Sequence, residues 1–373
     1  MPQHAILSPS AAHMWLNCPP AAKLSEDKED VGSFYSEQGT EAHSLCEFKL
    51  NTALGMECED PRPDLIYLDE EMENCSDDYA SFVMETLSKV KETCEDPIIL
   101  IEQKLDLSKY VKEGFGYGDC LIVGNGQLHV IDFKYGLGVL VDSNENPQMM
   151  CYALGALELL DYLYDIESVS MTIFQPRRQN ISTFEMSKKD LIAWANDVLK
   201  PTADLAYAGL GEFKAGSHCQ FCKVKATCKK RAEYNLELAK YDFAEPMTLN
   251  DEEIAEILEK ADEFISWAGD VKDFALSQAL AGVKYPGFKV VAGRSVRKYT
   301  DADAVAEEVK IAGYEPFEQK LLGVTAMTSL LGRKKFDELL GGLIYKAPGK
   351  PTLVKESDKR EALNTAKDDF KEE

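Results

Sequence analysis

An α/β fold, with a mixed sheet flanked by helices, is predicted from three stretches of the 373-residue chain. First, Cys120-Leu-Ile-Val123 and His129 to Tyr135 are apolar runs on either side of Asn125-Gly126, a dipeptide suited to a tight hairpin turn. Second, the apolar residues from Gln148 to Leu160 take helical spacing, and Ser168 to Gln175 then returns to strand alternation. Third, two helical patterns precede all of these. Helices, then strands, then a helix and a further strand is the order of a mixed sheet covered by helices.

Taken in order, Ser8-Pro9-Ser10 supplies a cap and a first-turn proline for a short helix from Ala11 to Cys18, which Pro19-Pro20 should end. The charged stretch Ser25 to Asp30 predicts a loop. Ser36 to Leu50 predicts a helix with Ala42, Leu45, Cys46 and Leu50 on its apolar side and His43 beside them. Asn51 to Cys75 is acidic and holds two prolines, so a loop or insertion is predicted. A helix follows from about Asp77 to Thr93, with Tyr79, Phe82, Val83, Leu87 and Val90 at core spacing, and then a strand from Ile98 to Leu105. Gly114, Gly116 and Gly118 alternate without the strand-to-helix context of a dinucleotide site, which points to backbone geometry near Asp119. After Ser168 to Gln175, Pro176-Arg177-Arg178 predicts the end of the sheet, and Ser187 to Leu199 a helix. Arg177 and Arg178 fit phosphate contact and plain surface exposure equally well.

Beyond about Pro246 the character changes. Asn250 followed by Glu253 is a capping box that opens a long helix, with Ile254, Ile257, Leu258, Ala261, Phe264, Ile265, Ala268, Val271 and Phe274 as a packing stripe. Gly287 to Tyr299 reads as extended, and helical segments follow near Asp301 to Ala312 and Thr325 to Leu340. Two domains are therefore predicted, 1–245 and a smaller α+β domain at 246–354, with a charged tail at 355–373 predicted to be disordered.

The composition, 45% hydrophobic and 28% charged, is that of a soluble globular protein. No apolar run approaches a membrane span, and Met1 to Trp15 lacks the basic start and apolar core of a signal peptide, so a cytosolic setting is expected. Ten cysteines there point to reduced thiols, some of them metal ligands, rather than disulfides. The net charge of -24 excludes a broadly basic surface. Any nucleic-acid site must be a local groove helped by bound cations.

The chemistry concentrates between Gly114 and Tyr152. In Ile131-Asp132-Phe133-Lys134-Tyr135 the strand period puts Asp132 and Lys134 on one face and the three apolar residues on the other. An Asp-x-Lys pair is commonly a solvated surface pair. Here the strand is apolar around it, and a buried carboxylate and ammonium need a partner, a metal or a network. The hairpin brings Asp119 near Asp132, and two carboxylates in one pocket suit a hard cation such as magnesium. Gln148 and Tyr152, four apart, share a helix face that can look into the same pocket.

A second cluster is Cys219-Gln-Phe-Cys222 with Cys228, three thiols within ten residues. Zinc sites share the Cys-x-x-Cys pair, but the fourth ligand must come from a distance, and Cys18 is the candidate. The same stretch carries Lys214, Lys223, Lys225, Lys229, Lys230 and Arg231, which read either as a phosphate-tracking surface or as a solvated helix start. Arg294, Arg297, Lys298, Arg333, Lys334 and Lys335 form a second candidate patch.

Gly118-Asp119, Ile131-Asp132-Phe133-Lys134 and Gln148-x-x-x-Tyr152 together resemble the PD-(D/E)XK nuclease superfamily in its RecB-like branch, over roughly the first two thirds of the chain. The resemblance implies a restriction-endonuclease-like core with metal ligation by His43 (in Gly39-Thr-Glu-Ala-His43), Asp119 and Asp132. It also implies catalysis by Lys134, positioning by Gln148 and Tyr152, and an acidic role for Glu102 on the first core strand. The thiols resemble those of the iron-sulfur branch found in AddB-type and CRISPR-adaptation nucleases. That implies a [4Fe-4S] cluster on Cys18, Cys219, Cys222 and Cys228 clamping the two ends of the domain, with zinc as the alternative. The function so implied is a magnesium- or manganese-dependent DNA exonuclease resecting ends in phage-type recombination or replication, with a single-strand-binding or annealing protein as partner. Two other readings are a catalytically silent DNA-binding or scaffold protein on the same fold, and an acidic decoy of a nucleic-acid enzyme. No Gly-x-x-x-x-Gly-Lys-[Ser/Thr] loop, and so no ATP motor, is found in the sequence.

Overall fold

The structure is a computed structural model that describes residues 5–28, 32, 34–237, 249–292, 299–317 and 321–345. By internal contacts the chain divides into Met1–Gln278 and Ala279–Glu373. The predicted boundary at 245 thus moves into the long helix, because residues of that helix bond to the segment before it.

The first unit is built on a five-stranded sheet in the order β1 (Ile98–Asp106), β2 (Phe115–Gly124), β3 (Gln127–Phe133), β4 (Ser168–Gln175) and β5 (Asn180–Ser187). Pairing is antiparallel except between β3 and β4, so the sheet is mixed, as predicted. Asn125 (φ 53°) and Gly126 (φ 73°) make the β2–β3 turn, both in the left-handed region that such a two-residue turn requires. The parallel β3–β4 pair needs a crossover, which α5 (Pro147–Tyr164) provides. Asn146 caps it, accepting from the Gln148 and Met149 amides.

Strand alternation divides the core in two. Leu121, Val123, Leu128, Val130, Val169, Met171 and Ile173 pack with α5 and with the buried residues of α1 (Ala12–Asn17), α6 (Lys188–Trp194) and α7 (Lys200–Ala208). Cys120, Ile122, Ile131, Phe133 and Phe174 pack with α3 (Phe34–Ala53) and α4 (Glu70–Lys91). Tyr135 joins the second core, which matches the predicted separation of Ile131, Phe133 and Tyr135 from Asp132 and Lys134. Gly116 is a packing glycine: a Cβ there would meet Pro9 Cγ at 2.8 Å and Tyr152 Cε1 at 2.9 Å. The alternating glycines were expected to shape the backbone at Asp119; at this position the requirement is room for a helix to approach.

Four elements depart from expectation. The first helix ends before Pro19-Pro20 as expected, but Pro20 then begins α2 (Pro20–Ser25), because proline lacks only an amide that the first turn leaves free. α4 starts at Glu70, not Asp77: Asp69 accepts from the Met72 amide, and Glu70, Glu71 and Glu73 favour a helix N-terminus. The sheet does not end at Pro176. A tight turn there leads into β5, an edge strand whose residues alternate between half-buried and exposed. Helix α9 (Asp251–Leu280) has the expected capping box, with Asn250 and Glu253 exchanging 2.9 Å bonds, but it buries none of its residues fully.

In the second unit, α10 (Ala302–Ile311), α11 (Val324–Leu331) and α12 (Arg333–Leu340) are helical, the last two separated by Gly332 at φ 72°. The expected α+β character is not found among the described residues. The described part of the segment read as extended pairs with nothing, and Phe288 is 84% exposed. Arg294, Arg297, Lys298 and the tail 355–373 lie outside the described residues.

Candidate metal centre and thiol cluster

The β ladder is interrupted on both sides of Asp119. On one side the β1–β2 register runs Ile101↔Cys120 and then Gln103↔Gly118, skipping Glu102 opposite Asp119. Glu102 has φ 46°, a left-handed conformation that costs a non-glycine residue about 1 kcal/mol or more and clusters at functional sites. On the other side the β2–β3 ladder stops at Cys120↔Ile131. The Phe133 amide, left without a β2 carbonyl, donates instead to Asp119 Oδ2 at 2.7 Å. This fixes the carboxylate and turns Oδ1 toward His43 Nδ1, 3.4 Å away. Glu102 Oε1 lies 4.0 Å from the same nitrogen. His43, on α3, is held edge-on against Phe133 at 5.4 Å between ring centroids.

One donor atom from each of His43, Glu102 and Asp119 lies within 4.8 Å of the others. Next to them, Asp132 is 2% exposed and has Lys134 Nζ 2.8 Å from its Oδ2. The Asp132 carboxylate is thus buried with the Lys134 ammonium as the close charged partner of its Oδ2. Gln148 donates to Tyr152 Oη at 3.0 Å and, more weakly, toward Asp132 Oδ1 at 3.5 Å. The predicted helix face is thereby formed. Lys134 is held in place by its own amide, which donates to the Phe174 carbonyl on β4.

The electrostatics are those of a crowded anionic pocket. Burial and the Asp119 charge push Glu102 up to about 7. Burial also raises Asp132 despite its lysine. Burial opposes a charged Asp119, but His43 outweighs it and lowers the carboxyl below its usual value. The imidazole is correspondingly raised to about 9, against burial, chiefly by Asp119. Burial likewise opposes the Lys134 ammonium, and Asp132 and Asp119 overcome it. One nitrogen and several carboxylate oxygens fit a hard divalent cation of the magnesium or manganese kind. The cleft over them holds about 420 Å³ and is walled by Ser36, Gly39, Thr40 and His43 on α3 and by Lys134, Tyr135 and Gly136 opposite.

The predicted thiols converge elsewhere in this unit. Cys18 ends α1, its amide bonded to the Met14 carbonyl; Cys219 and Cys222 bracket a 3-10 turn; Cys228 caps α8 (Lys229–Leu236). All four line one small cavity of about 20 Å³. Burial raises the Cys222 thiol, with Cys219, Cys228 and Cys18 close enough to add to it. His218, buried beside Cys219 and 6.2 Å from the His13 ring, was not singled out from the sequence; its adjacency to Cys219 was the available signal. Cys46, Cys75, Cys120 and Cys151 are buried core thiols, in line with their lack of ligand spacing, and Cys58 is exposed.

Three of the basic candidates pair with acids. Arg231 is 1% exposed and bonds Asp270 of α9 at 2.5 Å, and Lys225 bonds the same carboxylate at 2.8 Å. Arg177 is largely buried over the Tyr135 ring and paired with Glu71, while Arg178 donates to the Leu137 carbonyl. A run of like charges says nothing of which members find an acid, and here Asp270 and Glu71 claim three of them.

Residues 4–361 match a family described as "Protein of unknown function (DUF2800)". The chain belongs to that family. Among solved structures, one described as "Crystal structure of SSO0001" is 12% identical, with 50% of this chain and 94% of that chain covered and a TM-score of 0.22. A superposition that loose bears on neither fold nor chemistry. Neither description names a reaction, so for this DUF2800 member the chemistry rests on its own residues. Among the described residues no helix is long and apolar enough to cross a membrane.

Proposed function

We propose that this protein is a divalent-cation-dependent deoxyribonuclease that hydrolyses phosphodiester bonds at DNA ends, in recombination or replication of the phage type. The observation that carries this reading is the His43, Glu102 and Asp119 donor set beside the buried Asp132–Lys134 pair. Those three residues would hold the cation, with the adjacent Asp132 carboxylate as a further source of oxygen ligands. A bound cation supplies Lewis-acid polarisation of a phosphate and a more acidic water. Lys134, kept charged by Asp132 and Asp119, presents an ammonium to a phosphate oxygen and orients the attacking water. Gln148 and Tyr152 hold the Asp132 side chain from the α5 side.

The four thiols would carry a [4Fe-4S] cluster that ties α1 to the segment before α8. All four thiols line one cavity, which supports a four-thiolate centre, with tetrahedral zinc as the alternative occupant.

The test is digestion of end-labelled linear DNA with magnesium, manganese or chelator, beside an Asp119→Asn variant. Cleavage that requires the metal and is lost in the variant is expected. A wild-type protein that binds the metal but leaves single- and double-stranded DNA intact would overturn the reading in favour of a silent nuclease fold.

A further inference from the structure

Helix α3 carries His43 toward its middle and, two turns earlier, an unusual amount of exposed aromatic surface. Tyr35 is 75% exposed and Phe34 is 54% exposed, although both begin a helix whose later residues are packed. The rings are ordered as a set. Phe34 meets Tyr35 edge-on at 5.5 Å and Tyr67 edge-on at 4.9 Å. Tyr67 is locked in turn, its hydroxyl donating to Glu37 at 2.7 Å and its amide to Glu41 at 2.7 Å. Glu37 and Glu41 are thus both engaged as acceptors.

Between the rings and the metal donors the helix surface is stripped of bulk. Ser36, Gly39, Thr40 and His43 form one wall of the cleft, and a Cβ at Gly39 would meet nothing within 4 Å. Packing therefore does not demand this glycine, and a glycine inside a helix costs about 1 kcal/mol relative to alanine. What it leaves is a shallow floor over which another backbone can pass closely. Opposite, a Cβ at Gly136 would likewise meet nothing within 4 Å. At 1.5 Å per residue, Tyr35 stands about 12 Å along the helix axis from His43. That separation is about three nucleotides at the 3.4 Å rise of a stacked strand, and fewer where the strand is stretched.

Resting on the nuclease reading for the chemistry of the ligand, the geometry points to Tyr35, braced by Phe34 and Tyr67, as a stacking platform for an unpaired base within about three nucleotides of the scissile phosphate. The strand crosses Gly39 between them. Every base face inside a duplex is already covered by its neighbours and only the outer face of an end pair is open, so the platform favours single-stranded over paired DNA. An aromatic ring also accepts any base, which gives a site indifferent to sequence.

The experiment measures binding with chelator present, so that no cleavage is needed. The probes are single-stranded oligonucleotides carrying 2-aminopurine at the first, second, third or sixth position from either end, and a blunt duplex. The expected result is a change in 2-aminopurine fluorescence confined to one of the first three positions at one end. Tyr35→Ala should lose that change and weaken single-strand binding on the order of tenfold, the loss of one stacked base. Tyr35→Phe should restore both, and duplex binding should stay within about twofold throughout. Single-strand binding by Tyr35→Ala equal to wild type, equal losses on both probes, or a wild type that binds no oligonucleotide would each overturn the platform; selective capture of a protein by this face instead would do the same. The platform and the nuclease reading fail separately: a wild type that binds and stacks yet never cleaves with metal keeps the first and loses the second.

Discussion

At Asp132 a chemical and a merely structural role predict different measurements. Asp132→Asn keeps the shape and removes the charge beside the donor set. Cleavage should fall by about a hundredfold or more, with the melting temperature close to wild type because Gln148 and Tyr152 still pack against the side chain. Lys134→Ala should also abolish cleavage while retaining more metal affinity, since an ammonium is not a ligand. If the two residues were only a buried ion pair, removing either would lower the melting temperature by a similar, large amount. Melting temperature, metal affinity and rate on both variants separate these outcomes. Much of this geometry was legible in the sequence, because period-two alternation places Asp132 on the face opposite Ile131, Phe133 and Tyr135, and the Asn125-Gly126 turn sets which residues of β2 lie beside it. The left-handed backbone at Glu102 was not legible, since a glutamate in an apolar run carries no mark of a broken ladder. Nor was the burial of Arg231, which depends on a carboxylate 39 positions away.

Individual elements were readable where local chemistry was unambiguous, as in α5 and its crossover, and missed where one residue serves two purposes. Proline ends a helix or begins one, and Glu70 to Glu73 suits both a solvated loop and a helix N-terminus. The α4 entry has a measurable consequence. Arg62, bonded at 2.6 and 3.2 Å, and then Lys49 hold Glu73 at about 2, below its ordinary 4.5. A depressed carboxylate contributes stability that is fully present above the unfolded value and is lost as pH falls through the folded one. The melting temperature should therefore exceed that of Glu73→Gln by a constant margin above about pH 5, and the margin should close between pH 4.5 and 2. A margin that persists at the acid end would assign the stabilisation to packing. The thiol clamp makes a second prediction at this scale. Anaerobically purified protein should be brown, with iron and sulfide in equal amounts, and Cys222→Ala should lose the colour and destabilise the domain. Stoichiometric zinc without iron would defeat the cluster assignment.

For the molecule as a whole, the charge of -24 sets the terms of any encounter with DNA. Several of the cations expected to track phosphates are already bound to Asp270 and Glu71. The acidic field opposes the approach of phosphates, so the slope of log binding constant against log salt should be shallower than about −3, and divalent cations should strengthen binding. A slope steeper than that would point to a basic path that this field leaves open. The division of the chain at 278 was hidden for a related reason: Arg231, Lys225 and Asp270 hold α9 to the first unit, and the composition shift near Pro246 does not reveal that tie.

The bond from the Phe133 amide to Asp119 Oδ2 makes a donor of the sheet answer to a ligand of the cation. Its proton can exchange with solvent only when that carboxylate lets go. In an amide-exchange or nitrogen-proton correlation experiment, this one backbone position becomes a native gauge of the centre: slow while Asp119 is fixed, slower still when a cation immobilises the carboxylate, and fast in Asp119→Ala, with no label introduced and no substrate consumed.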